Sequence, residues 1–275
     1  VEGLLALVRD CLRAEEPVAL ATVVDLATSE DGVAEVLPPL GAKLVVRREA
    51  APIGSLGEAG LDLVVTRDTR GALDGGRSVA RHYGPHGEAG RTDVTVFIEV
   101  FAPPPRMLIF GAVDFTAALV RVAKVLGYHV TVCDARPVFA TAVRFPEADE
   151  VVADWPHRYL AKVAGRLGPG DAICVLTHDH KFDIPALMDA LKTKVGYLGA
   201  MGSRSTHDGR VERLLAEGVE PDDIRRIMAP IGIDIGARTP EETAVSICAE
   251  IISLRAGVKA PSLRDGDGPI HRFAS

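Results

Sequence analysis

The stretch Met107-Leu-Ile-Phe-Gly111-Ala112-Val113-Asp114-Phe115-Thr116 decides the reading of this chain. A strand-sized apolar run meets a glycine, and a helical pattern over 115–126 follows, closed by Gly127. A second short strand, 129–133, leads to Asp134, 23 residues beyond Gly111. Strand, glycine turn, helix, and a strand ending in an acid open a dinucleotide-binding βαβ unit. Asp134 then stands where a ribose hydroxyl is held. The fingerprint is incomplete. The second glycine of G-x-G-x-x-G, which lets backbone approach a pyrophosphate, is Val113 here, and Asp114 puts a negative charge where the helix dipole favours an anion. Gly111 and Ala112 are either cofactor contacts or a tight turn. Arg136 either takes a phosphate, as in NADP-type sites, or pairs with a carboxylate.

Beyond this unit, strands are expected at 150–153, 171–177 and 195–198, and helices at 185–191, 206–217, 222–227 and 240–254. That alternation implies a parallel sheet covered on both faces, a Rossmann-like domain over 106–257. Two turns in it carry polar groups at a strand's carboxyl end, where open α/β sheets bind ligands. The first is Thr177-His178-Asp179-His180, whose histidines suit a hydrogen bond to a ligand better than a metal, since no third ligand is evident. The second is Gly202-Ser203-Arg204-Ser205-Thr206, where amides, hydroxyls and a guanidinium at a helix start either converge on a phosphate or form only a capped helix with a solvated arginine. Thr239-Pro240 reads as an N-cap followed by an N1 proline.

Residues 1–102 have a different grammar, with a helix at 2–14, strands at 17–24, 42–47 and 92–102, an extended piece at 50–57 and a helical pattern over 62–83. They predict a smaller α+β domain with an antiparallel sheet. Ala102-Pro-Pro-Pro105 separates it from the Rossmann-like part, and 258–275 reads as a loose polar tail.

Composition sets the limits. With 275 residues, 47% hydrophobic and 25% charged, the chain can bury a large core. The net charge is −7, and residues 1–102 hold 10 basic and 16 acidic side chains against 21 and 22 in the rest. Neither half is a basic surface, so nucleic acid is not expected as a partner. No apolar run approaches the about 20 residues of a membrane span. Val1-Glu2-Gly3-Leu4-Leu5 carries no basic region ahead of an apolar one, so no export signal is expected. The four dispersed cysteines read as reduced thiols of a cytoplasmic protein.

A set of motifs in order resembles one known family. It runs Gly41-Ala42-Lys43, Gly54-Ser55, Ile109-Phe110-Gly111-Ala112, Asp134-Ala135-Arg136 and Thr177-His178-Asp179-His180. It continues through Gly199-Ala-Met-Gly202-Ser203-Arg204, Ala229-Pro-Ile-Gly232-Ile-Asp234-Ile-Gly236 and Thr239-Pro240-Glu241-Glu242. These resemble the XdhC/CoxI accessory proteins of xanthine dehydrogenase and related molybdenum hydroxylases, over about residues 1–257; the motifs after residue 106 are specific in combination. The resemblance implies a homodimeric maturation factor with no catalytic residue. It would bind the molybdenum cofactor, a molybdopterin in mono- or dinucleotide form, through Gly111, Ala112, Asp134, Arg136, Thr177, His178, His180, Gly202, Ser203 and Arg204. It also implies presentation of the cofactor to a cysteine desulfurase for sulfuration, and delivery to a xanthine dehydrogenase or carbon monoxide dehydrogenase type hydroxylase. An NAD(P)-dependent oxidoreductase and a nucleotide-binding structural partner are the alternatives. One departure stands out: where the family commonly has a cysteine in the first domain this chain has Gly60, with Asp62 at the family's glutamate position.

Overall fold

The computed structural model of the chain describes residues 2–14, 16–27 and 37–265. It divides into two compact units, Val1–Pro104 and Pro105–Ser275.

The first unit holds α1 (Glu2–Arg13), β1 (Val18–Leu26), β2 (Lys43–Arg47), β3 (Ile53–Ser55), α2 (Ala59–Gly75), β4 (Val79–Tyr83) and β5 (Val94–Phe101). The strands form one antiparallel sheet in the order β3-β2-β1-β5-β4. Central β1 is buried on both faces. Val18 and Leu20 meet Val8 and Cys11 of α1, while Ala19, Ala21 and Val23 share a core with Leu61, Val65 and Leu73 of α2. The helical pattern expected over 62–83 is cut short. Gly76 adopts φ 63°, its amide closes on Ala72 and Leu73 carbonyls, and the chain leaves as edge strand β4. Leu73 is the last helical residue the core needs, and a left-handed glycine ends the helix at little strain.

The second unit runs β6 (Arg106–Phe110), α3 (Asp114–Val125), β7 (His129–Asp134), β8 (Glu150–Ala153), α4 (Pro156–Val163), β9 (Ala172–Val175), α5 (His180–Leu191), β10 (Tyr197–Ala200), α6 (Arg204–Ala216), α7 (Pro221–Ile224), β11 (Ile227–Met228) and α8 (Pro240–Ala256). Six parallel strands lie in the order β11-β10-β9-β6-β7-β8. In chain order this is the 3-2-1-4-5-6 sheet of a Rossmann fold, which reverses direction between β6 and β9. Helices α3 and α8 cover one face through Leu119, Ala123, Ile247 and Ile251. Helices α4, α5 and α6 cover the other through Leu160, Leu187 and Leu214. The fold is therefore a Rossmann-like parallel sheet preceded by an antiparallel α+β unit. Helix α4 escapes the sequence pattern because its eight residues span little more than two turns, and two-residue β11 is too short to show a period. Of the expected tail, Leu263–Asp265 make a single 3₁₀ turn, and 266–275 lie outside the described residues. Among the described residues, no helix is long and apolar enough to cross a membrane.

Candidate functional site

Backbone bonds past the strand ends fix the turns at the sheet's carboxyl edge. The Gly111 amide donates to the Cys133 carbonyl at 2.9 Å, Leu176 to Phe110 at 2.8 Å and Met201 to Val175 at 2.8 Å. The candidate residues therefore sit on four turns of one edge, those after β6, β7, β9 and β10.

The turn after β6 is closed by its own side chains. Gly111 has φ 116°, and a Cβ there would lie 2.7 Å from Thr177 Cγ2, so only glycine lets the β6 and β9 turns approach this closely. The Ala112 amide donates to Asp134 Oδ2 at 2.7 Å, and the Val113 amide to Thr116 Oγ1 at 3.2 Å. The Thr116 hydroxyl in turn donates to the Gly111 carbonyl at 2.5 Å. Asp134 is 3% exposed and takes two bonds on each oxygen. Oδ1 accepts from Arg136 N and Nε, both at 2.9 Å, and Oδ2 from Ala112 N and from Arg136 Nη2 at 2.8 Å. Burial acts to raise the Asp134 pKa, but the Arg136 guanidinium and the Ala112 and Arg136 amides outweigh it and hold the carboxyl below its ordinary value. The Arg136 guanidinium also lies 4.5 Å over the Phe139 ring. Asp114 is the exposed first residue of α3, and Val113 occupies the N-cap. Amides and acid that could face a pyrophosphate and a ribose thus already serve the fold.

The turn after β10 is arranged differently. Gly202 has φ 148°, and Ser203 caps α6 by accepting from the Thr206 amide at 3.1 Å. The Ser203 hydroxyl lies 2.9 Å from those of Ser205 and Thr206. Arg204 is exposed and its guanidinium has no hydrogen-bond or ion-pair partner among the described residues. A helix start leaves amide donors without intrahelical acceptors, so the turn combines orphan amides, hydroxyls and an uncommitted cation.

Between these turns lies a buried network that the sequence reading missed. The Thr177 hydroxyl hydrogen-bonds Asp183 Oδ1 on α5, and Asp183 Oδ2 accepts from Arg210 Nη2 of α6 at 3.1 Å. The same nitrogen donates to the Met201 carbonyl at 3.0 Å, and Arg210 and Asp183 are both 0% exposed. Arg210 Nε and Nη1 are buried with no hydrogen-bond partner among the described residues. Burial pushes the Asp183 pKa up against the opposing pull of Thr177 and Arg210. The signal was present: Arg210 stands at i, i+4 from core residue Leu214, and Asp183 precedes the apolar run Ile184 to Leu187. A charge on an apolar helix face needs a buried partner. His178 is exposed and His180 half-buried, its Nδ1 unpartnered among the described residues. No group of three His, Cys, Asp or Glu suited to a metal is found among the described residues.

All four cysteines are free and buried. Burial pushes the Cys133 and Cys248 thiols up to about 12, so neither is a thiolate at neutral pH. Gly60 lies in the first turn of α2, and a Cβ there would fall 2.7 Å from the His86 carbonyl oxygen and 3.0 Å from Glu58 Oε2. The backbone of the 84–88 turn fills the space a side chain would need.

Residues 107–251 match a family model described as the XdhC Rossmann domain, and residues 11–84 match one described as the XdhC and CoxI family. The chain is 34% identical over 182 residues to a Bacillus subtilis (strain 168) protein described as a probable subunit of xanthine dehydrogenase, covering 66% of this chain and 52% of that protein. It is 29% identical over 155 residues to the molybdenum cofactor insertion chaperone PaoD of Escherichia coli (strain K12), covering 56% and 42%. The chain spans about half the length of the curated relatives it matches. A crystal structure described as a xanthine dehydrogenase from Bacillus halodurans superposes with a TM-score of 0.51 at 21% identity, over 92% of this chain and 97% of that one, a likeness of fold.

Proposed function

The chain belongs to the XdhC/CoxI family, and on that premise we propose that it is a molybdenum cofactor insertion chaperone serving a xanthine dehydrogenase type hydroxylase. The observation that carries the site assignment is the contrast between two turns of one sheet edge. The Gly111–Val113 amides and the Asp134 oxygens are engaged within the protein, whereas at the start of α6 Ser203 caps the Thr206 amide but the Arg204 guanidinium and the Arg204 and Ser205 amides have no hydrogen-bond partner among the described residues. These donors fit a phosphate, the one strongly anionic part that every form of molybdopterin carries. In this reading Ser203 and Arg204 hold the phosphate, and Arg136, His178 and His180 border it. Gly111, Ala112, Asp134 and Thr177 shape the turn beneath. When bound, the cofactor supplies the molybdenum redox centre that the hydroxylase uses, and this chain only holds and orients it.

Delivery without sulfur chemistry at the first-unit glycine is part of the proposal, since Gly60 has no thiol and no room for one beside the His86 carbonyl. A homodimer, cytoplasmic residence, and a cysteine desulfurase partner acting on the carried cofactor complete it. Light scattering and a pull-down with the desulfurase test the first and last of these.

The direct test is cofactor retention. Chain purified from a host that makes molybdenum cofactor, then oxidised, is expected to release near-stoichiometric fluorescent pterin, and its absence would overturn the proposal. A thermal-shift arm addresses nicotinamide cofactors. A ligand at 100 times its Kd stabilises by about 2.7 kcal/mol, so NAD or NADP should leave the Tm unmoved.

A further inference from the structure

At the same carboxyl edge, on the face covered by α4, α5 and α6, lies an aromatic group that none of the motifs above includes. Trp155 follows β8 and precedes α4, and Phe182 stands in the first turn of α5. Their ring centroids are 4.9 Å apart at 45°, and the His157 ring is 5.9 Å from Trp155 at 59°. All three are half-buried. The tilt means that the rings are inclined to one another and not stacked face to face. Lys181 is exposed, with Nζ 5.1 Å from the Phe182 centroid and 6.0 Å from that of Trp155. Its ammonium has no carboxylate partner among the described residues. His157 Nδ1 and His180 Nδ1 are both buried without a hydrogen-bond partner among them.

Two helices can pack at their starts through aromatic rings alone, but that packing needs neither a half-exposed indole nor an unpaired ammonium over the rings. A partly open aromatic seat with one cation, uncommitted imidazole nitrogens and a position at the edge where parallel sheets hold ligands has the make-up of a small-molecule subsite. We propose that Trp155, Phe182, His157 and Lys181 seat a planar nitrogen heteroaromatic ring belonging to a phosphorylated ligand. The proposal deepens the chaperone reading and rests on it for the ligand's identity. Ring stacking on Trp155 and Phe182 supplies affinity, and the Lys181 ammonium meets the ring's carbonyl and ring-nitrogen atoms. A pterin and a cytosine base share this chemistry.

Trp155 is the only tryptophan, so its fluorescence reports on this seat alone. The ligand-free full chain is titrated with neopterin, cytidine 5′-monophosphate and inorganic pyrophosphate, with N-acetyltryptophanamide as the inner-filter control. Saturable quenching by one of the two ring-bearing probes, and none by pyrophosphate, is expected; the ring that quenches identifies the source. Phe182→Leu should weaken that binding about tenfold. Lys181→Gln, a surface change that leaves the fold intact, should weaken it about threefold. Arg204→Ala should leave neopterin binding unchanged, because neopterin has no phosphate. No saturable quenching by either ring, or equal quenching in wild type and Lys181→Gln, would overturn the proposal. The two readings separate cleanly. Ring probes that quench a chain retaining no pterin would support this seat and sink the chaperone, and retained pterin with Trp155 blind to both rings would do the reverse.

Discussion

Arg210 and Asp183 form an ion pair sealed from solvent, joined to Thr177 and to the Met201 carbonyl, so they tie together the turns after β9 and β10. Removing one partner leaves a buried charge uncompensated. Arg210→Met should therefore destabilise the second unit by about 3–5 kcal/mol, and Asp183→Leu in the same chain should restore most of the loss. Urea unfolding followed by Trp155 fluorescence measures both, and an additive double variant would contradict the pairing. Asp134 gives a pH-dependent case. Its folded pKa lies below its unfolded value, so its contribution is present above the unfolded carboxyl pKa of about 3.9 and is lost as pH falls through the folded value. Asp134→Asn should cost about 1–3 kcal/mol near pH 7, mostly at the Ala112 amide because Arg136 is 44% exposed and screened. The difference from wild type should shrink as pH falls below about 4, and unfolding curves at several pH values check this. In the sequence Asp134 has the spacing of a ribose ligand, and nothing there shows that Arg136 and Ala112 fill its four acceptor positions. Spacing locates a side chain, whereas its occupancy depends on turn geometry that only the folded chain has.

At the scale of elements, the β6 turn was legible because glycine, strand and helix obey local rules, and the close approach of Gly111 to Thr177 was not, since those residues are distant in sequence. Gly111→Ala would set a Cβ 2.7 Å from Thr177 Cγ2 at a φ of 116°. A loss of about 2–4 kcal/mol is expected from the strained backbone and overpacking together. Thermal melts check it, and an unshifted Tm would contradict the close packing of the two turns. Strand β4 illustrates the opposite limit. Its alternation, Val79-Ala-Arg-His-Tyr83, is too polar to stand out beside a helical run, and only pairing with β5 makes it a strand. Helix α4 is similar, because one buried leucine and Pro156 at its start are enough when a sheet waits beneath it. Propensity yields to tertiary packing in both.

In the whole molecule, the parallel sheet of the second unit gathers four polar turns on one edge, and the architecture was readable from the alternation of strands and helices. Which turn is free to bind was not, because that depends on the internal bonds of each. The central claim is that a cofactor phosphate lies at the start of α6 and not at the start of α3. The most direct measurement is pterin retained per chain, compared between Arg204→Ala and Asp114→Asn. Loss of a charged hydrogen bond of about 1.5–3 kcal/mol should strip most of the pterin from Arg204→Ala. Asp114→Asn, which removes an exposed negative charge at the start of α3, should retain as much as wild type. Full retention in Arg204→Ala together with increased retention in Asp114→Asn would put the phosphate at the start of α3 and contradict the account.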